Sequence, residues 1–180
     1  MKKELFQEIE IPEGIEANIE ETEITIKGPE GENKRRFNLH KLVFEKKDNK
    51  IIIGSKKATK NEKKIMNTVK AHIENMIKGV QKKFEYKLKI CFSHFPFNVK
   101  IDGRDVIIKN FLGEKVDRKL KTPEDVEIKM DKEIISILST DKELAGQTAA
   151  DLEKITKIRM RDKRIFQDGI YIINKAGKEI

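Results

Sequence analysis

Between Lys154 and Arg164 the chain places six cationic side chains, Lys154, Lys157, Arg159, Arg161, Lys163 and Arg164, against the single acid Asp162. Three of the six are arginines. Their planar forks pair two N–H donors with phosphate oxygens, and their flat faces stack on bases. Phe166 and Tyr171 follow, separated by an Asp168-Gly169 step with turn character, and Lys175 prolongs the cationic stretch. Cations ending in a turn and flanked by aromatics suit an RNA backbone and an exposed base. The plainer alternative is a solvated helix end followed by two core aromatics. Asp168 is an acid inside this basic region; it orients a neighbouring arginine or caps the turn. A second basic cluster, SKKATKNEKK at Ser55–Lys64, is equally well explained as the exposed start of a helix.

Other chemistries find less support. His40, His72 and His94 lie in no paired-ligand spacing, and Cys91 with His94 makes a lone C-x-x-H without a second pair. His72 falls beside apolar positions of a helix and reads as a packed or edge histidine. Ser139 to Lys142 fits S-x-x-K but lacks the companion elements of a serine hydrolase and is better explained as a helix start. No phosphate-cradling glycine loop and no nucleophile elbow is present. Carboxylates are so abundant that an acid pair could be drawn anywhere. Neither an enzyme nor a cofactor, a metal or a small-molecule substrate is expected.

The elements that must carry the basic run come in two copies. IKGPEGE at Ile26–Glu32 and IKNFLGE at Ile108–Glu114 share the frame I-K-x-x-x-G-E, 82 positions apart. At the same offset Ile24 meets Val106 and Arg36 meets Arg118. One residue of slippage then aligns Asp48–Ile52 with Asp131–Ile135. Thr59-x-x-Glu62 and Thr140-x-x-Glu143 both have capping-box form. A tandem duplication follows. Asn98–Ile101, Asp102–Gly103 and Arg104–Lys109 predict a hairpin, with further hairpins around Asp48–Asn49 and Asp131–Lys132. Alternation puts Val126, Ile128 and Met130 on one face. The first helix is predicted from about Lys60 to Gln81, with Ile65, Val69, Ile73, Met76, Ile77 and Val80 inward. The second starts after Thr140, with Leu144, Thr148, Leu152 and Ile155 on one side. The expected fold is α+β: two tandem duplicated domains, 1–82 and 83–180, each an antiparallel β-sheet packed against one α-helix, joined by a stiff connection. Gly31 and Gly113 follow strands where a positive φ favours glycine, and Pro29 and Pro96 stiffen loops at sheet edges. The recurrence of Arg36 and Arg118 suggests a shared structural role. Lys27 occupies the place of Lys109, which argues against Lys109 as a specific phosphate ligand.

Charge sharpens the picture. The 180 residues include 39 Lys and Arg against 31 Asp and Glu, for a net charge of +8. Residues 1–23 hold eight glutamates and two lysines, so the remainder carries 37 bases against 23 acids, an excess of 14. A field of that sign favours a polyanionic partner, although a solvated Lys/Glu surface is also common in heat-adapted proteins. The one cysteine, Cys91, allows no internal disulfide and suits a reducing compartment. No apolar run reaches membrane-spanning length and no secretory leader is evident, so a cytoplasmic protein without a membrane partner is expected.

Several segments also resemble a known family. KGPEGENKRRF at Lys27–Phe37, HFPFNV at His94–Val99, NFLGEK at Asn110–Lys115 and IRMRDKRIFQDGIY at Ile158–Tyr171 are similar to motifs of the sixth large-subunit ribosomal protein in its archaeal and eukaryotic form. The last is a signature in which two basic residues precede R-x-F-x-D-G-[IL]-Y. Two positions depart from it: Lys154 stands where glutamine is usual, and Asn174 precedes the closing Lys175. The resemblance implies two related sheet-and-helix domains and no catalysis. It implies binding to large-subunit ribosomal RNA, mostly through the second domain, near the sarcin–ricin factor-binding region and the stalk base. Neighbouring ribosomal proteins are further expected partners. The RNA-binding candidates are Lys154, Lys157, Arg159, Arg161, Lys163, Arg164, Tyr171 and Lys175. A protein–protein docking module with little direct RNA contact is the competing expectation.

Overall fold

The computed structural model describes residues 3–20, 22–37, 42–47 and 49–180, with backbone alone at Lys3. His40 and Asp48 lie outside the described residues. The chain separates into two units, Met1–Lys83 and Phe84–Ile180. Among the described residues no helix is long and apolar enough to cross a membrane.

The first unit contains β1 (Lys3–Glu10), β2 (Glu16–Glu20), β3 (Glu23–Gly28), β4 (Gly31–Arg36), β5 (Val43–Lys47), β6 (Lys50–Ala58) and α1 (Lys60–Gln81). The strands form two antiparallel sheets, ordered β2-β3-β4 and β1-β6-β5. Ile24 and Ile26 of β3, with Ile51 and Ile53 of β6, are fully buried beneath α1, because alternation aims them all inward. The helix presents Met66, Val69, Ile73, Met76, Ile77 and Val80 to this core. The stripe therefore opens with Met66, and Ile65 points to solvent. Thr59 caps α1 with a full capping box: its side chain accepts from Asn61 N, and Glu62 accepts from Thr59 N at 2.8 Å.

The second unit contains β7 (Phe84–Cys91), β8 (Asn98–Asp102), β9 (Asp105–Lys109), a 3-10 turn (Phe111–Gly113), β10 (Arg118–Lys121), β11 (Glu127–Asp131), β12 (Ile134–Ser139), α2 (Lys142–Ile155), β13 (Gly169–Lys175) and β14 (Lys178–Glu179). Its sheets run β10-β9-β8 and β11-β12-β7-β13-β14, again antiparallel. Strand for strand, β7 to β12 repeat β1 to β6, and α2 repeats α1. The core differs in how it fills space. Where α1 offers Met and Ile, α2 offers Ala145 and Ala149, and the volume is made up by Tyr86, Phe97 and Phe111. Phe97 and Phe111 meet edge to face, 5.3 Å between centroids.

Pairing registers correct several expectations. Lys47 pairs with Lys50 and Asp131 with Ile134, so the repeat has slipped to 84 positions there. Ile51 and Ile53 thus correspond to the fully buried Ile135 and Ile137; an offset of 83 would turn each strand inside out. The turns are Lys132–Glu133 and Gly103–Arg104, each one residue later than predicted, with Lys132 and Gly103 taking the positive φ. Ile26 pairs with Asn33 and Ile108 with Arg118, so the partner of Arg118 in the first unit is the buried Asn33, and Arg36 is an exposed residue of a different register. Asp141, not Thr140, caps α2, accepting from Glu143 N at 2.8 Å. Met130 is exposed although it shares a strand face with the buried Val126. Gly31 and Gly113 both take positive φ.

Candidate nucleic-acid interface

In the second unit α2 ends at Ile155 and the chain does not re-enter a sheet until Gly169. The cationic run therefore occupies a loop, and both of its ends are fastened. At the start, buried Thr156 accepts a hydrogen bond from Ile170 N at 3.0 Å and donates to Glu153 O at 3.1 Å. That one hydroxyl ties the end of α2 to the first residues of β13. Ile158 is buried between exposed Lys157 and Arg159, so the loop is pinned by an apolar residue while its neighbouring charges face outward.

At the far end Asp168 is fully buried. Its Oδ1 accepts from Ser93 N at 2.6 Å and His94 N at 3.0 Å, and its Oδ2 lies 2.8 Å from His94 Nδ1. Burial alone would raise the Asp168 pKa. The two backbone donors and the His94 ring outweigh that cost, and the carboxyl sits below its usual range. Asp168 therefore clamps the Ser93–His94 segment rather than orienting an arginine. The clamp also organises the loop surface. The His94 ring stacks on Phe166 with centroids 4.6 Å apart, and the Arg161 guanidinium lies 4.8 Å from the same Phe166 centroid. Arg161, Phe166 and His94 form one column standing on a buried carboxylate.

The loop is flanked by a second irregular segment. Between β9 and β10, Asn110, Leu112 and Gly113 all take left-handed φ, a conformation that costs the two non-glycine residues roughly 1–2 kcal/mol each. Three contacts hold it. Phe111 is buried, Asn110 Nδ2 donates to Pro96 O at 3.1 Å, and Arg118 forms a two-pronged pair with Glu114. Arg118 also donates to Ile155 O and lies 4.4 Å from the Phe111 centroid, so it caps the C-terminus of α2 just where the basic loop departs. The hydrogen bond from Arg118 holds the Glu114 carboxyl below its ordinary pKa, against a smaller cost of burial.

Lys154, Lys157, Arg159, Arg161, Lys163, Arg164, Tyr171 and Lys175 are all exposed. Two concavities gather most of them. A pocket of about 290 Å³ is lined by Lys154, Lys157, Lys163, Phe166 and Tyr171 among others. A second of about 470 Å³ brings Lys154, Arg159 and Arg161 beside Leu112, Glu114 and Arg118. Lys154 belongs to both, on the ridge between them. Lys154 pairs with Asp151 at 3.5 Å and Arg164 with Asp162 at 2.7 Å. Among the described residues, Lys157, Arg159 and Lys163 form no ion pair, so their charge is available to an outside anion. Tyr171 packs its ring against Gly169, where an added Cβ would stand 3.3 Å from it, and its hydroxyl donates to Gln167 O at 3.1 Å. Tyr171 is thus an exposed wall of the first pocket, not a core aromatic, whereas Phe166 is half-buried. Lys175 stands apart. It lies at the other end of β13, about 20 Å along the strand from Gly169 at the usual rise per residue.

Sequence reasoning did not anticipate Thr156, His94, Glu114, Leu112 or the anchoring role of Arg118. His94 meets Asp168 across 74 positions of chain, a separation that local patterning does not reach.

A duplicated α+β scaffold whose second copy carries a fastened cationic loop defines the class of protein. Comparison with known proteins then narrows it. The family model described as Ribosomal protein L6 matches the chain twice, over residues 11–83 and 95–169, once in each unit. The large ribosomal subunit protein uL6 of Methanobrevibacter smithii is 44% identical over 169 residues, covering 94% of this chain and 95% of the relative. The protein of the same name from Methanococcus vannielii is 43% identical over 172 residues (96% and 94%), and that of Staphylothermus marinus is 42% identical over 179 (97% of each). The chain belongs to the ribosomal protein L6 family. Its relatives are proteins of the large ribosomal subunit, not enzymes.

Proposed function

We propose that the protein is a structural constituent of the large ribosomal subunit of the cytoplasmic ribosome, and that it grips ribosomal RNA with the loop between α2 and β13. The observation that carries this reading is the exposed charge of Lys157, Arg159 and Lys163, free of ion pairs among the described residues, on a loop fastened at both ends. A preorganised loop loses little conformational freedom on binding. The two concavities offer paired modes of contact. The one between Arg159, Arg161 and Arg118 suits phosphate oxygens, and the one walled by Tyr171 and Phe166 suits an unstacked base. Following the family resemblance, the RNA gripped is the large-subunit RNA near the sarcin–ricin factor-binding region and the stalk base. Neighbouring ribosomal proteins would flank the contact.

Filter binding of the protein to large-subunit RNA across a salt series tests the assignment. Each neutralised phosphate contributes a slope of about −0.7 to −0.9 to the log–log plot of affinity against salt. Replacing Arg159, Arg161 and Arg164 together with Ala should flatten the slope by about two units and weaken binding at least tenfold at low salt. A triple variant indistinguishable from the parent would remove the loop from the interface.

A further inference from the structure

We infer that the outer edge of β1, in the first unit, is a docking edge for an extended basic segment of a neighbouring protein. The duplication itself exposes the vacancy. In the second unit β7 is paired on both sides, by β12 and by β13. Its counterpart β1 is paired, among the described residues, with β6 alone. Two equivalent backbone bonds set the register: Ile11 N donates to Asn49 O and Ile90 N to Glu133 O, both at 2.8 Å. Ile11 thus matches Ile90, and residues 7–12 match residues 86–91, the stretch that β13 covers.

Because Ile11 N faces β6, alternation aims the N–H groups of Glu8 and Glu10 outward. The matching residues Lys87 and Lys89 sit in register with Asn174 and Tyr171 of β13. An incoming antiparallel strand would find the same unpaired row on β1 and would end at Pro12, which has no N–H to give. Gln7, on the same strand, leaves its Oε1 buried with no donor among the described residues, while its Nε2 binds Asn67 at 2.9 Å.

Charge selects the occupant. β1 and the turn after it carry Glu4, Glu8, Glu10 and Glu13 in a chain that is otherwise basic. Among the described residues Lys50 answers two of them, at 2.9 Å from Glu8 and 3.9 Å from Glu10. Phosphate is repelled here. A second copy pairing β1 to β1 would set glutamates beside glutamates across the new ladder. A strand with Lys or Arg facing Glu8 and Glu10, and an apolar residue beside the half-exposed Phe6, fits both the charge and the surface.

Hydrogen exchange resolved to single amides, on the free protein and on purified large subunits, tests the inference. Glu8 and Glu10 amides should exchange rapidly in the free chain, where Lys87 and Lys89 are protected, and should slow at least tenfold in the subunit. A benzoylphenylalanine in place of Phe6 should cross-link within the subunit to a Lys- or Arg-rich segment of another protein. Glu8→Pro removes one outward N–H without touching the β6 ladder; Glu10→Lys reverses one charge. Protection of the Ile9 and Ile53 amides checks that each variant is folded. Either folded variant should lose the cross-link. Unchanged exchange at Glu8 and Glu10 on assembly, a cross-link to RNA or to a second copy, or a cross-link that survives both substitutions would overturn the proposal.

Discussion

Removing the Asp168 carboxylate probes the clamp on which the loop surface rests. Asp168 is fully buried and receives two backbone N–H groups and one ring nitrogen, at 2.6, 3.0 and 2.8 Å. Hydrogen bonds to a charged group are worth about 1.5–3 kcal/mol each, and the donors left behind would be only partly rehydrated. Breaking a buried charged network by deleting one member costs roughly 3–5 kcal/mol, so Asp168→Ala should lose about that much. Asp168→Asn keeps an oxygen for the two backbone donors and gives up mainly the charge, so it should lose about 1–2 kcal/mol. The chain supplies its own reporter. It has no tryptophan and two tyrosines, Tyr86 and Tyr171, both in the second unit. Urea unfolding followed by tyrosine fluorescence therefore reads that unit alone. At roughly 1–2 kcal/mol per molar urea, a loss of about 3–5 kcal/mol should move the midpoint down by about 1.5–5 M. The pH dependence has a definite sign. The folded pKa of Asp168 lies below the ordinary aspartate value of 3.8, so its contribution is complete above that value and is lost as pH falls through the depressed folded value. The gap between parent and Asp168→Ala should therefore close in strong acid, as the pH falls through that depressed value. A midpoint within about 0.5 M of the parent at neutral pH, or a gap that stayed undiminished in strong acid, would refute the clamp.

Other substitutions test neighbouring parts of the scaffold. Thr156→Val keeps the side-chain shape but leaves Ile170 N without an acceptor in a buried site. It should lower second-unit stability by about 1–3 kcal/mol, read by the same fluorescence titration, and loosen the loop so that RNA affinity falls with it. Gly28→Ala would place a Cβ 2.9 Å from both the side chain and the backbone oxygen of Val80, the oxygen that accepts from Glu30 N. Overpacking of this kind costs about 1–3 kcal/mol. Because the site lies in the first unit, the circular-dichroism melt should change while tyrosine-detected unfolding stays put. Arg118→Met preserves bulk over Phe111 but abolishes the pairing with Glu114 and the cap on Ile155 O. Exchange of amides between Asn110 and Asp117 should accelerate at least tenfold.

The amino-acid sequence alone determined the duplication, the antiparallel α+β class, the span of α1 and the six-cation run. Each of these is written in local periodicity, in caps, or in a repeated frame. Its errors were also local in origin. Thr140 and Asp141 are both able caps, and only the backbone path decides which one is used. Ile65 and Met66 are adjacent and both apolar, so the inward member depends on how the helix is rolled against the sheet. The offsets of 82 and 83 were read from matching letters, whereas strand pairing counts residues through each turn. The three residues added between β9 and β10 shifted the partner of Arg118 without disturbing the motif around it. What only the tertiary structure decided is which cations are free, which are tied, and what holds the loop still. Asp168 reaches His94, and Arg118 reaches Ile155, across 74 and 37 positions. Contacts at that range arise when the sheet brings distant strands side by side, and no local spacing encodes them.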